Sequence, residues 1–303
     1  MCEGVNEFPL GCDSSLIHSF TLSVPHPRLM PLLHCKHYTL DLSRPLIMGI
    51  VNVTPDSFSD GGKFLAKNAA LDHAFQLIEE GADIIDVGGE STRPGAEDVS
   101  VADELARVLP VIEALKNQSL PISIDTMKPE VMAAAIQAGA TMVNDVYALR
   151  ADGAVVACAQ SNVAVCLMHM QGMPRTMQTN PQYVDVVTEV QGFLLERAAA
   201  CERAGITKDR IVIDPGFGFG KNREQNLTLL RGLSTLRGMG YALLAGLSRK
   251  SVLGKITGQE VVSRVPASVA AVLIAVQRGA QIVRVHDVRA TKDALAILQA
   301  VNT

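Results

Sequence analysis

A short apolar run that stops at one or two polar residues recurs eight times along this chain, and each time a Gly- or Pro-marked loop and a helical stretch follow. LIMGIV runs into Asn52, ADIIDVGG into Glu90, LPISI into Asp125, and TMV into Asn144 and Asp145. VAVCLM runs into His169, RIVI into Asp214, YALLAGL into Ser248, Arg249 and Lys250, and QIV into Arg284, with His286 following. Short continuous apolar runs suit strands buried on both faces, as in a parallel sheet. Eight such strand–helix units in register close into a (β/α)8 TIM barrel of the α/β class, whose strand C-termini share one mouth and carry the chemistry.

At 303 residues the chain is long enough for two domains, but a barrel of about 250 residues forms one. We expect an irregular N-terminal extension over residues 1–37, which holds Pro9, Pro25, Pro27 and Pro31, and a single barrel domain over 38–303. The extension lacks the basic start and apolar block of a secretory signal. No run reaches the roughly 18 apolar residues of a membrane span. The net charge of −4 gives no basic field for nucleic acid, and the absence of tryptophan removes the best base-stacking side chain. Six cysteines without paired spacing read as reduced thiols of a cytoplasmic protein. His34, Cys35 and His37 match no zinc spacing.

Strands are expected over 46–51, 83–87, 121–125, 141–145, 163–168, 210–214, 241–247 and 281–285. Helices are expected over 68–81, 100–117, from Pro129 to near Gly139, then over 152–161, 181–204 and 223–231, in pieces between 249 and 277, and over 288–300. Ser100 is a favoured N-cap residue and Pro129 suits a first helical position.

Asp125, Asn144 and Asp214 end three strands, so a closed barrel aims them into one pocket. Two carboxylates and a carboxamide can read a flat heterocycle bearing amino and lactam N–H groups. The plainer alternative is that each caps the helix that follows. Arg284 and His286 alternate out of the last strand onto one face. With Asn52, Thr92 and a helix N-terminus they can hold a phosphate or diphosphate, unless Arg284 merely pairs with Asp287. Asn52 can contribute one oxygen to a Mg2+ shell completed by phosphate oxygens and waters. Gly216-Phe217-Gly218-Phe219-Gly220-Lys221 lacks the spacing of a P-loop, and Asn222 stands where Ser or Thr would be needed. It reads as Gly-rich packing beside a ligand, with Phe219 as an apolar wall. Lys250 could be a Schiff-base nucleophile, a fixed donor to a ring nitrogen and carbonyl, or a solvated charge, and Arg249 beside it could depress its pKa. His169, between Met168 and Met170, reads as a buried, hydrogen-bonded histidine.

Eight stretches, GIVNVTPDSFSDGG, IIDVGGESTRPGA, ISIDTMKPEV, VNDV, VCLMHMQGMPRTMQ, IVIDPGFGFGKN, GLSRKS and IVRVHDV, together resemble the bacterial dihydropteroate synthases of the pterin-binding enzyme family. They stand in family order over about residues 39–302. The resemblance implies a homodimeric barrel that condenses (7,8-dihydropterin-6-yl)methyl diphosphate with 4-aminobenzoate, giving 7,8-dihydropteroate and diphosphate. By the same resemblance Asp125, Asn144, Asp214 and Lys250 bind the pterin, Asn52 contacts Mg2+, and Thr92, Arg284 and His286 lie on the diphosphate side. Phe58, Arg93, Pro94, Phe219 and Ser251 shape the aminobenzoate pocket, and Asp60 approaches the reacting carbon. Three readings compete: a methyltetrahydrofolate methyltransferase, which needs no diphosphate cradle; a Schiff-base aldolase built on Lys250; and a non-catalytic pterin-binding protein, which needs neither Arg284, His286 nor Asn52.

Overall fold

The computed structural model describes residues 32–53, 62–91, 97–173 and 175–302, with the backbone alone for 62–66. An antiparallel hairpin of β1 (Leu32–Cys35) and β2 (Tyr38–Asp41) precedes a closed barrel of parallel strands. The barrel strands are β3 (Leu46–Asn52), β4 (Ile84–Gly88), β5 (Ile122–Asp125), β6 (Met142–Asp145), β7 (Ala164–Met168), β8 (Ile211–Asp214), β9 (Ala242–Ala245) and β10 (Ile282–Val285). They pair in chain order, and β10 closes on β3.

Between and after them run α1 (Gly62–Glu80), α2 (Val101–Leu115), α3 (Pro129–Ala138), α4 (Ala154–Ala159), α5 (Val186–Arg203), α6 (Arg223–Arg231), α7 (Leu233–Arg237), α8 (Ser251–Thr257), α9 (Val265–Gln277) and α10 (Val288–Asn302). Ser100 caps α2 by accepting the Asp103 N–H at 3.1 Å, and Pro129 opens α3. Asn222 begins α6 through a capping box with Gln225, which is what that residue does in place of a P-loop hydroxyl. The long helix expected over 181–204 begins only at Val186, capped by Asp185.

The two-residue period of a strand sorts each apolar run into two faces. Outward residues such as Ile85, Val87, Ile124, Val143, Leu167 and Ile213 join the helices in one continuous core. Inward residues change character along the strand axis. At the lower end Met48, Ile84, Met142, Cys166, Val212, Leu244 and Ile282 form a second, dry cluster. Higher up, the next inward positions on β4, β6, β8 and β10 are Asp86, Asn144, Asp214 and Arg284. The strands therefore deliver a polar chamber on an apolar floor.

The irregular reading of residues 1–37 fails for its described part. Leu33 and Cys35 are fully buried in the lower cluster, so the hairpin corks the bottom of the barrel. Lys36 donates its N–H to Asn162 O at 3.0 Å and Nζ to Ile136 O at 2.9 Å, and Tyr38 Oη donates to Gln118 O at 2.7 Å. Two strands this short, interleaved with His34, Lys36 and His37, carry little periodic signal, and the barrel they pack on supplies the stabilisation. Residues 1–31 lie outside the described residues. The four described cysteines, Cys35, Cys158, Cys166 and Cys201, are buried free thiols.

Candidate active site

Strand register sets part of the rim before any side chain is considered. Asn52 pairs with Gly88, Gly88 with Asp125, and Asp125 with Asn144, so one tier crosses four strands. Within the mouth lies an open cavity, whose polar lining includes Asp125, Asn144, Asp214, Ser248, Lys250, Arg284 and His286. Ile50, Val146, Met168 and Phe219 supply its apolar surface. Val146 and Met168 continue into a Met-rich cluster with Met170 and Met177, a soft, adaptable surface against which a fused ring can lie.

Arg284 does not pair with Asp287. Its Nε donates to Asp86 Oδ2 at 2.6 Å and its Nη2 to Asp125 Oδ2 at 2.7 Å. Asp287 is taken instead by Arg249. Burial opposes the charge on Arg284, but Asp86 and Asp125 outweigh it and hold the guanidinium well above its ordinary pKa. Asp86 is fully buried, and the same Oδ2 accepts the Asn144 amide at 3.0 Å. Sequence reasoning passed over Asp86; an acid in the middle of an otherwise apolar strand was the available signal. It also passed over Lys128, which bridges Glu90 and fully buried Glu104 at 2.6 and 2.5 Å.

Asp214 braces the turn after its strand and also faces the cavity. Oδ1 accepts the Gly216 N–H at 2.7 Å, and Asp214 also lines the cavity. Burial raises its pKa, against the pull of Lys250, the Gly216 N–H and Lys221. Asp125 is likewise raised by burial despite Arg284 beside it. Asp145, by contrast, braces the turn after β6: its two oxygens accept the Tyr147 and Leu149 N–H groups, both at 2.7 Å.

Lys250 donates to the Phe217 carbonyl, and its Nζ sits 4.4 Å from the centroid of the Phe219 ring. Burial lowers its pKa to about 8, with Asp214 opposing and Arg284 assisting. This is a positioned donor held among fixed partners. Ser248 Oγ accepts the His286 N–H at 3.2 Å and lies 3.0 Å from His286 Nδ1.

Asn52 stands at the end of β3. A side-chain carbon built on Gly88 would lie 3.8 Å from both Asn52 Oδ1 and Asp125 Oδ2, so these oxygens share the open space above a residue without a side chain. Ser251 is exposed at the start of α8 and lines a neighbouring recess with Gly218 rather than the main cavity. His169 is buried, as read from sequence, 2.9 Å from Lys221 Nζ through Nδ1. Phe58, Asp60, Thr92, Arg93 and Pro94 lie outside the described residues.

Residues 48–286 match the family model of the pterin binding enzymes. The chain is 49% identical over 263 residues to a dihydropteroate synthase of Escherichia coli (strain K12), covering 86% of this chain and 93% of that protein. The dihydropteroate synthase of Xanthomonas albilineans with 4-aminobenzoic acid superposes with a TM-score of 0.86 at 56% identity, covering 90% of this chain and 99% of that one. A second structure of that enzyme, in complex with 7,8-dihydropteroate, gives 0.83 at 54% identity with the same coverages. The Yersinia pestis dihydropteroate synthase in a sulfonamide drug complex gives 0.85 at 47% identity, covering 89% of this chain and 99% of that one.

Proposed function

This chain belongs to the pterin-binding enzymes and, among them, to the dihydropteroate synthases, and from that premise we propose how its residues divide the reaction. The enzyme condenses (7,8-dihydropterin-6-yl)methyl diphosphate with 4-aminobenzoate, yielding 7,8-dihydropteroate and diphosphate. One observation carries the residue assignment: carboxylates fit to read a fused ring and a cation fit to meet an anion line one cavity. A side-chain carbon on Gly246 would lie 3.9 Å from both Asp214 Oδ2 and Arg284 Cβ, so the two walls are a few ångströms apart.

Asp125, Asn144 and Asp214 take the pterin's amino and lactam N–H groups, and Lys250 donates to its ring nitrogen and carbonyl. The substitution is dissociative. The C–O bond to diphosphate breaks, its electron pair leaves with the diphosphate, and a pterin-stabilised cation remains at the exocyclic methylene. Arg284 and His286 meet the growing negative charge, and Asp60 and the acidic pocket favour the cation. The arylamine nitrogen then forms the C–N bond and gives up a proton, so no protein nucleophile is required. Thr92 assists on the diphosphate side, while Phe58, Arg93, Pro94, Phe219 and Ser251 bound the aminobenzoate. Sulfonamides compete for that second pocket.

Mg2+ fits the donor set. Asn52 offers a neutral oxygen in the open space above Gly88 that it shares with Asp125 Oδ2. Such a sparse site suits a hard cation that keeps waters and takes substrate phosphate oxygens. When bound, the ion supplies positive charge against the leaving diphosphate. A homodimer is supported by α9, whose sequence VPASVAAVLIAVQ is apolar around its girth and leaves Ile274 partly exposed. We place the enzyme in the cytoplasm; among the described residues no helix is long and apolar enough to cross a membrane.

The test is diphosphate release from the pterin diphosphate, with and without 4-aminobenzoate and Mg2+. Stoichiometric release coupled to 7,8-dihydropteroate supports the reading, and absence of product with both substrates present defeats it. Asp60→Ala is expected to keep pterin affinity and lose turnover; equal loss of both contradicts the role given to Asp60.

A further inference from the structure

The Gly216–Gly220 segment after β8 is bound so tightly to its neighbours that it must be held in place for a reason. Gly216, Gly218 and Gly220 have φ of 67°, 81° and 61°, in the left-handed region. A side-chain carbon would lie 2.0 Å from His169 O at Gly216 and 2.5 Å from Gln171 O at Gly220. The segment therefore lies directly on the backbone leaving β7. Asn226 reinforces it by accepting the Gly218 N–H at 2.7 Å and donating to Lys221 O at 3.0 Å.

At its centre is Lys221, almost fully buried and unused by the reaction described above. Its Nζ lies 2.9 Å from Gly216 O, Phe219 O and His169 Nδ1. Burial pushes the Lys221 pKa well below the usual lysine range, against the pull of Asp214. In the ammonium form Nζ donates to all three, with His169 O a further acceptor at 3.4 Å, and His169 is then neutral with its proton on Nε2. Burial, then the Lys221 charge, holds the His169 imidazole far below its ordinary pKa, at about 2. The segment gripped in this way carries two features of the active site: the Phe217 carbonyl that Lys250 donates to, and the Phe219 ring beneath Lys250 Nζ. The backbone at Gly218 also lies against the Lys250 stem, where an added carbon would come within 3.2 Å.

We propose that Lys221 is a positioning residue for Lys250 and Phe219, acting through the Gly216–Gly220 segment with neutral His169 as its anchor. The proposal rests on the assignment of the cavity to the pterin substrate. Lys221 lines the recess beside Ser251 rather than the main cavity, and it fixes the carbonyl and the ring that fix Lys250, which does line that cavity.

Nitrogen-15 NMR of the wild-type full-length protein and pterin diphosphate titrations of four proteins test it together. His169 should show a neutral imidazole protonated on Nε2 and should not titrate between about pH 5 and 9. Lys221→Met and His169→Leu should weaken pterin diphosphate binding by about tenfold or more, the scale of lost hydrogen bonds to a charged group. His169→Gln, which keeps an acceptor oxygen, should stay within about threefold of wild type. A proton found on Nδ1, a His169 that titrates near its ordinary value, or wild-type affinity in folded Lys221→Met and His169→Leu would overturn the proposal. Failure of the wild-type protein to bind the pterin diphosphate would instead overturn the assignment of the cavity.

Discussion

Asp86 and Arg284 meet inside the barrel, Oδ2 to Nε at 2.6 Å, although they enter from β4 and β10 on either side of β3. The same oxygen takes the Asn144 amide, so one carboxylate holds Arg284 and Asn144 together. Its Oδ1 is buried without a hydrogen-bond partner among the described residues. Asp86→Asn leaves Arg284 with Asp125 as its sole carboxylate partner. Breaking a buried pair of this kind costs about 3–5 kcal/mol, read as a lower urea midpoint. In conditions where the variant is folded, kcat/KM for the pterin diphosphate should still fall by about tenfold or more, as when an orienting partner is lost. Wild-type kcat/KM in the folded variant would show that Asp86 orients nothing.

On the proposed role of Lys250, this residue is expected to set the alkaline side of pterin binding. Its pKa is lowered to about 8 by burial, so the donor is progressively lost as pH rises past that value. Affinity for the pterin should weaken over the same range, and Lys250→Met should remove that part of the pH dependence. On the acid side, protonation of Asp214 begins above the ordinary carboxylate range because burial raises it, and affinity should fall there too. Stability moves the other way on the alkaline side. Between about 8 and the ordinary 10.5, the folded chain holds fewer protons at Lys250 than the unfolded chain, so this group's contribution to stability rises with pH. Calorimetric titrations and urea unfolding across the range should therefore diverge; parallel decline would mean that the alkaline loss is unfolding.

Lys128 closes the neck of the connection between β4 and α2. Glu90 Oε1 accepts the Val99 N–H at 2.9 Å, tying the two flanks together, while Oε2 meets Lys128. Glu104, in the first turn of α2, is fully buried with Oε1 unpartnered among the described residues. Lys128→Met would leave that carboxylate uncompensated and should destabilise the barrel by about 3–5 kcal/mol. Lys128→Met/Glu104→Leu should recover much of the loss, because the stranded charge goes with it. Double-variant unfolding no better than the single variant would place the cost elsewhere.

The barrel was legible because each apolar run has the length of a strand and each ends in polarity, and the eight strands fall within one residue of the expected spans except at β9, which ends at Ala245 rather than 247. The site was legible where polarity stands at a strand end, as at Asp125, Asn144, Asp214 and Lys250. It was illegible where a polar side chain serves another polar side chain. Asp86 sits inside a run that reads as apolar, and its partners Arg284 and Asn144 are far away in sequence. The plainer alternative, a pairing of Arg284 with Asp287, fails for a related reason. Asp287 is close in sequence but is taken by Arg249, and only barrel closure brings Asp86 within reach. The hairpin at Leu32–Asp41 was missed because its stability comes from the barrel floor it covers rather than from its own pattern.

Gly246 separates packing from binding at one position. It follows β9 as the next inward residue and lines the cavity. Its added carbon meets Arg284 Cβ and Asp214 Oδ2 at 3.9 Å, ordinary van der Waals contact, and Gly246 is not among the glycines with positive φ. Gly246→Ala should thus fold with a urea midpoint close to wild type. The new methyl group nevertheless projects into the space between the two walls, where the proposed reading puts the pterin methylene and its diphosphate. KM for the pterin diphosphate should rise by about tenfold or more, a steric cost of roughly 1–3 kcal/mol, while that for 4-aminobenzoate changes little. An unaltered KM for the pterin diphosphate would mean that the substrate does not lie between Asp214 and Arg284.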